Sequence, residues 1–316
     1  MEEKLEMRKV FCDTLMELAK NDDRICIINS DSRQISGTLA FEEAYPDRSF
    51  NVGIAEADMV GVAAGLSVSG KRPFAHAFGP FMSRRVLDQL TISLAYGKLN
   101  AVLVGLSPGI IAEINGGTHQ GYDDIAAIRG IANTTIVEPF DGVQLRQMIP
   151  ALLDLEGPVY LRYDRGMTPT FYGPDYRYQL GKADVLREGS DATIISSGIM
   201  LAQCLEAADI LKEKGIQARV LNMHTIKPID QEAVIQAAQE TGCIVTVENH
   251  NIIGGLGSAV AEVVVENCPV PMKRVGIKDR FGEVGDRAYL RKCLEIDTPN
   301  IVDAVMNLKN SLQKNF

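Results

Sequence analysis

The stretch Asn51-Val-Gly-Ile-Ala-Glu56-Ala-Asp-Met-Val-Gly-Val-Ala-Ala-Gly65 decides how the chain is read. It sets one carboxylate, Glu56, among small and apolar residues where a strand gives way to a helix. From Ala57 to Ser69 the residues are mostly Ala, Gly, Val and Met, the composition of a tightly packed, buried helix. A carboxylate at the mouth of such a helix is costly to bury unless something specific pairs with it. The helix N-terminus favours its ionised form, while burial favours its protonated form. Taken alone, the segment also fits a Glu that merely complements the helix dipole.

Outward from this segment, helix-period stretches alternate with short β-branched runs from end to end. That is the pattern of parallel or mostly parallel sheets covered by helices, an α/β fold. Strands are predicted at Ile25–Asn29, Pro73–Ala77, Ala101–Leu106, Thr134–Val137 and Val159–Tyr163, with helices at Lys4–Lys20, Phe81–Tyr96 and Asp141–Leu153 around them. A polar connector rich in Gly, Pro and Tyr, Gly166–Tyr178, marks a boundary. Beyond it, strands are predicted at Ala192–Ser196, Ala218–Met223, Ile244–Glu248 and near Arg274–Ile277. Helices are predicted there at Met200–Lys214, Gln231–Gly242, Leu256–Asn267 and Ile301–Leu312. The reading is two sheet domains, 1–168 and 189–316, joined by a linker, 169–188.

The 316 residues are enough for two such cores. The net charge of -9 is spread without long acidic or basic runs, which argues against nucleic acid and membrane surfaces as main partners. An anionic substrate would need a locally basic pocket. Six cysteines fall singly with no Cys-x-x-Cys pair, so buried free thiols in a reducing compartment are expected rather than a disulfide framework or zinc site. The charged start, Met-Glu-Glu-Lys, carries no signal-peptide pattern, and no apolar run reaches membrane-spanning length. A cytoplasmic protein is expected.

Two further motifs follow Glu56: Phe78-Gly-Pro-Phe81 and Gly117-Thr-His119-Gln120-Gly121. In this order and at these separations, the three resemble the pyrimidine-binding half of a thiamine-diphosphate enzyme, in particular the C-terminal portion of transketolase. The resemblance runs from about Arg8 to the end of the chain. Val245-Thr-Val-Glu248-Asn-His250, with Gly254-Gly-Leu-Gly257 after it, is similar to the C-terminal domain signature shared by transketolases and 2-oxoacid dehydrogenase β subunits. Its glycines fit neither the dinucleotide fingerprint nor the P-loop, and a tight turn into a closely packed helix suits them better. The resemblance implies a pyrimidine-binding domain over 1–168 and a transketolase C-terminal domain over 189–316.

The same resemblance implies the site. Glu56 would hydrogen-bond the aminopyrimidine of thiamine diphosphate and so promote the cofactor's internal base. Ile54 would prop the cofactor into its bent shape. Phe78 and Phe81 would seat the pyrimidine, an offset stack contributing roughly 0.5–1.5 kcal/mol beyond burial. Both could equally be core residues, since large apolar side chains are normally buried. Asp31 matches an acidic residue near the cofactor and subunit interface. His119 is the candidate for substrate hydrogen bonding and proton transfer, and Arg8 and Arg165 match phosphate-contacting arginines, a job suited to their two-oxygen fork. Arg84 stands where transketolases often carry a third aromatic; it could cover the ring edge or face the substrate. Two positions depart from the pattern: Ser107 replaces a phosphate-binding histidine, and Asn115 an aspartate that reads a substrate hydroxyl. Either change is compatible with ordinary sugar phosphates or with a branched or sulfonated ketose.

The family's Gly-Asp-Gly motif, which with a later Asn holds diphosphate and Mg²⁺, does not occur; Gly285-Asp286-Arg287 lacks the second glycine. The expectation is a split transketolase, moving a two-carbon ketol unit between sugar phosphates, in which an N-terminal subunit supplies diphosphate and metal within an α2β2 heterotetramer. The rivals are a deoxyxylulose-phosphate synthase-like half, a 2-oxoacid dehydrogenase β subunit, and a non-catalytic regulatory subunit.

Overall fold

The computed structural model describes residues 4–313; Met1–Glu3 and residues 314–316, which the expected domain limits include, lie outside them. The first unit is a seven-stranded sheet in the order Thr225–Lys227, Thr135–Val137, Val159–Tyr163, Val102–Leu106, Arg72–Phe78, Ile25–Asn29, Ser49–Asn51. Every pairing is parallel except that of Thr225–Lys227. That strand comes from the C-terminal part of the sequence and closes the first sheet's edge. The second unit is a five-stranded sheet in the order Met272–Ile277, Ile244–Asn251, Ala192–Ser196, Ala218–Asn222, Asp184–Arg187, antiparallel only at the last pairing. Two mostly parallel α/β sheets are what the sequence pattern predicts.

The central strands of both sheets are buried throughout their length, which is why they read as unbroken apolar runs rather than alternating ones. On one face of the first sheet, helix Met7–Ala19 packs on helix Gly142–Leu152 and buries Phe11, Leu15, Leu145 and Ile149. On the other face lie helix Glu56–Val68 and the segment from Arg84 to Ala95. The core beneath them continues from Met59 and Ala63 through Ile125 and Ile128 to Val234, Ala237 and Val260 of the second unit. The two sheets therefore share apolar packing.

Differences from the sequence reading are local. Lys4–Glu6 is not the start of the first helix but a strand paired antiparallel with Met167–Pro169 inside the connector. The single helix expected over Phe81–Tyr96 is broken into a 3₁₀ turn Arg84–Val86, a short α turn Leu87–Gln89 and a π turn Leu90–Ala95. Hydroxyls account for part of this, since Ser83 Oγ donates to the Gly79 carbonyl and Thr91 Oγ1 to that of Leu87, competing with the backbone ladder. The six cysteines are unpaired, four of them buried.

Candidate active site

Ligands of open parallel sheets collect beyond the carboxyl ends of the strands. Here strand Ile25–Asn29 runs out into Ser30-Asp31-Ser32. Strand Ser49–Asn51 leads through Gly53, at φ 73°, to Ile54 and Glu56, and strand Arg72–Phe78 ends on Phe78. Asp31, Ile54, Glu56, Phe78 and Phe81 thereby line one cavity of about 160 Å³, together with Ser30, Ser32, Ile35 and Ala77. Asp31 sits at φ 57°, a left-handed conformation that Asp tolerates better than most residues, and its N–H donates to Asn51 Oδ1 at 3.0 Å. Ile54 projects freely, 77% exposed.

Glu56 opens its helix and is 3% exposed. Its partner is Arg85, whose Nη1 donates to Oε2 at 2.7 Å. The same guanidinium lies over the Phe81 ring, 4.0 Å from its centre. Phe78 and Phe81 meet edge to face at 6.1 Å. His119 stands edge-on to both, 5.2 Å from Phe78 and 5.1 Å from Phe81, with Nδ1 2.9 Å from Thr118 Oγ1. Residues far apart in sequence thus form one continuous surface: carboxylate, guanidinium, two rings and an imidazole.

The arginines extend it. Arg165 Cζ lies 5.4 Å from the centre of the Phe78 ring, and its carbonyl accepts the Arg8 N–H at 3.4 Å. Arg8 bonds Glu6 Oε1 at 2.6 Å and the carbonyls of Gln34 and Ile35. Arg165 is half-buried, and among the described residues its guanidinium makes no ion pair or hydrogen bond. Burial first, and then the neighbouring Arg8, hold its pKa below the usual arginine value.

Ser107 and Asn115 are placed differently. Ser107 follows strand Val102–Leu106 at φ 50°, fully buried, with an Oγ that has no hydrogen-bond partner, so it presents nothing to the cavity surface. Asn115 is exposed at the end of the 3₁₀ stretch Gly109–Asn115, on the loop that leads to His119. Arg84 turns away from the rings: its Nε is 3.5 Å from Asp123 Oδ2, at a second cavity of about 220 Å³ that it lines with Gln120, Tyr122 and Phe281.

Arg85 was not singled out from the sequence, although its position one helical turn after Phe81 was a usable signal. Glu113, Gln120 and Arg287 were also missed. Gln120 Nε2 donates to the carbonyls of Glu113 and Glu283, tying the His119 loop to the second unit. No spacing in the sequence announces such a cross-domain bond.

The fold defines a class: the pyrimidine-binding side of a thiamine-diphosphate enzyme, followed by the C-terminal domain that accompanies it. The description "Transketolase, pyrimidine binding domain" matches residues 3–170, and "Transketolase, C-terminal domain" matches residues 181–301. The chain belongs to the transketolase family. It is 48% identical over 310 residues to the 6-deoxy-6-sulfo-D-fructose transketolase subunit SqwH of Clostridium sp. (strain MSTE9), covering 98% of this chain and 96% of that one. It is 42% identical over 273 residues to an apulose-4-phosphate transketolase subunit of Phocaeicola vulgatus, covering 86% and 87%. Among solved structures, a split-gene transketolase described as an inactive β4 tetramer superposes with a TM-score of 0.88 at 39% identity, covering 96% of this chain and 98% of that one.

Thiamine diphosphate is the cofactor this family implies. The cavity fits its pyrimidine end, with apolar and aromatic walls around one buried carboxylate. For a metal accompanying the diphosphate the wall offers little: besides Glu56 it has one carboxylate, Asp31. Among the described residues, no group of three or more His, Cys, Asp or Glu is placed to hold a metal ion. Nor is any helix among them long and apolar enough to cross a membrane.

Proposed function

We propose that this chain is the pyrimidine-binding subunit of a split transketolase, transferring a two-carbon ketol unit between sugar phosphates or close anionic relatives. The observation that carries the reading is the single cavity lined by the buried Glu56 and by Ile54, Asp31, Phe78 and Phe81, with His119 edge-on to both rings. Bound thiamine diphosphate would supply the nucleophilic carbon and the electron sink for cleaving the bond beside a ketose carbonyl. Glu56 would hold the aminopyrimidine by a hydrogen bond, Ile54 would support the bend, and Phe78 and Phe81 would exclude water from its faces. His119 would hydrogen-bond the substrate and move a proton at its hydroxyl or carbonyl oxygen. Arg8 and Arg165 would receive the distal anion.

The diphosphate and Mg²⁺ would be held by a separate N-terminal subunit carrying the Gly-Asp-Gly motif, in a cytoplasmic α2β2 heterotetramer. The relatives that are themselves transketolase subunits support a two-chain enzyme. The 48% identity to a sulfofructose transketolase subunit, together with the exposed Asn115 on the His119 loop, favours testing 6-deoxy-6-sulfofructose beside xylulose 5-phosphate as donor.

The test is co-purification with the Gly-Asp-Gly chain, then assay with thiamine diphosphate and Mg²⁺, each donor being paired with ribose 5-phosphate. Turnover should need both chains and fall by at least ~10²–10⁴-fold in Glu56→Ala, as expected for a positioned acid–base group. Absence of turnover with both donors despite a stable complex would sink the assignment.

A further inference from the structure

Arg287 begins the helix Arg287–Cys293 of the second unit, yet its guanidinium reaches two loops of the first. Nε donates to Glu113 Oε1 at 2.6 Å, and Nη1 and Nη2 donate to Asp164 Oδ2 and Oδ1 at 2.5 and 3.2 Å. Asp164 is buried and also accepts the Gly166 N–H, so it bridges to the residue after Arg165. Glu113 lies two residues before Asn115, at φ 47° and ψ -115°, a conformation disfavoured for any residue but glycine. A cation in the first turn of a helix opposes the dipole, so the local helix gives no reason for Arg287 to stand there. Its reason lies across the domain boundary.

Electrostatics say what the bridge achieves. Arg8 shares its charge with Glu6 through Nε, while Arg287 pairs with both Glu113 and Asp164. Arg165 is left, among the described residues, as the cation at this edge without a carboxylate of its own. The fields of Asp164 and Glu113 reach Arg165, acting against its burial and the repulsion of Arg8 and of Arg287 itself.

We infer that Arg287 is a positioning residue that keeps Arg165 available to a substrate anion, by engaging the two carboxylates that would otherwise compete for it. The inference rests on the reading of Arg165 as an anion-binding residue. An anion arriving without Arg287 in place would have to displace Glu113 or Asp164 first, and an uncharged substrate would meet no such competition.

The test compares wild type, Arg287→Gln and Arg287→Gln/Glu113→Gln, each as the full chain complexed with its Gly-Asp-Gly partner. Acceptors are ribose 5-phosphate and glycolaldehyde, which has no anion. The Gln variant should raise the KM for ribose 5-phosphate about tenfold while moving that for glycolaldehyde less than about twofold, and Glu113→Gln should recover part of the loss. Equal losses on both acceptors, or no recovery, would overturn the inference. In parallel, inorganic phosphate is titrated into the uncomplexed full-length chain and its phosphorus NMR line width followed. Broadening in wild type that is lost in Arg165→Gln and weakened in Arg287→Gln supports the assignment. No broadening in wild type, or equal broadening in wild type and Arg287→Gln, overturns it. A wild-type complex that transfers no ketol group would defeat the proposed function, while the phosphate titration would still decide the role of Arg287.

Discussion

Glu56 illustrates how one residue's setting is shared out among neighbours. Its carboxylate is buried, and Arg85, itself half-exposed, pairs with it while lying on Phe81. Removing Arg85 leaves a buried carboxylate without its counter-ion, which costs more than losing the pair as a whole. Arg85→Ala should therefore lower stability more than Arg85→Ala/Glu56→Gln does, with a coupling of roughly 0.5–3 kcal/mol. Urea titrations of the two singles and the double measure it, and additive losses would exclude the coupling. Glu248 supplies a second residue-level prediction. Burial pushes its carboxyl up to about 8, against the lowering influence of the Gly257 and Leu256 N–H groups. In the unfolded chain the same group titrates near 4.5, so the folded form binds the extra proton between these values. Its contribution to stability is whole below about 4.5 and is lost as pH rises through about 8. Glu248→Gln has no such proton, so its urea midpoint should fall less over that interval.

Among elements, the long buried strands and the amphipathic helices were legible because burial on both faces or on one stripe writes itself into composition and period. Strand Val159–Tyr163 and helix Leu256–Asn267 have the predicted limits. The elements that escaped are short, among them Ser49–Asn51, Asp184–Arg187, Thr225–Lys227 and the helices Leu39–Ala44, Asp124–Arg129 and Arg287–Cys293. Segments this short hold too little of either period to stand out, and partners far along the chain decide their fate. The same limit governs the site. Glu56, Phe78, Phe81 and His119 could be picked out because motifs surround them, and Arg85 only through its spacing from Phe81, whereas Glu113 and Arg287 matter through contacts that no local spacing records. Of the glycines before helix Leu256–Asn267, Gly255 bears directly on the close packing expected there. A Cβ at that position would collide with Glu248 Oε2 and lie 2.5 Å from His250 Nδ1. Gly255→Ala should cost about 1–3 kcal/mol by overpacking, read as a lower urea midpoint at unchanged slope. A neutral result would mean that the Glu248 strand yields freely.

At the scale of the molecule, the two sheets are joined by buried charge as well as by apolar packing. Arg162, 1% exposed, donates to Asp124 at 3.0 Å, to Glu138 at 2.9 Å and to the Asn249 carbonyl at 3.2 Å. Ser197 of the second unit donates to the other Glu138 oxygen at 2.5 Å. Arg162→Met would strand two buried carboxylates and should cost about 3–5 kcal/mol. Calorimetry should show that loss in one transition rather than two, because the units share a core; two separate transitions would show that each unit melts alone. The borrowed strand Thr225–Lys227 has a different consequence, one of timing. As the polypeptide emerges from the ribosome, the first sheet has all its own strands once Tyr163 is out, but its Thr135–Val137 edge is still bare. That edge must wait until Lys227 has been synthesised, and an open strand edge is a template for mispairing with neighbouring chains. While its linker and the first strands of the second sheet are being made, the nascent protein thus carries an open edge that the finished molecule closes.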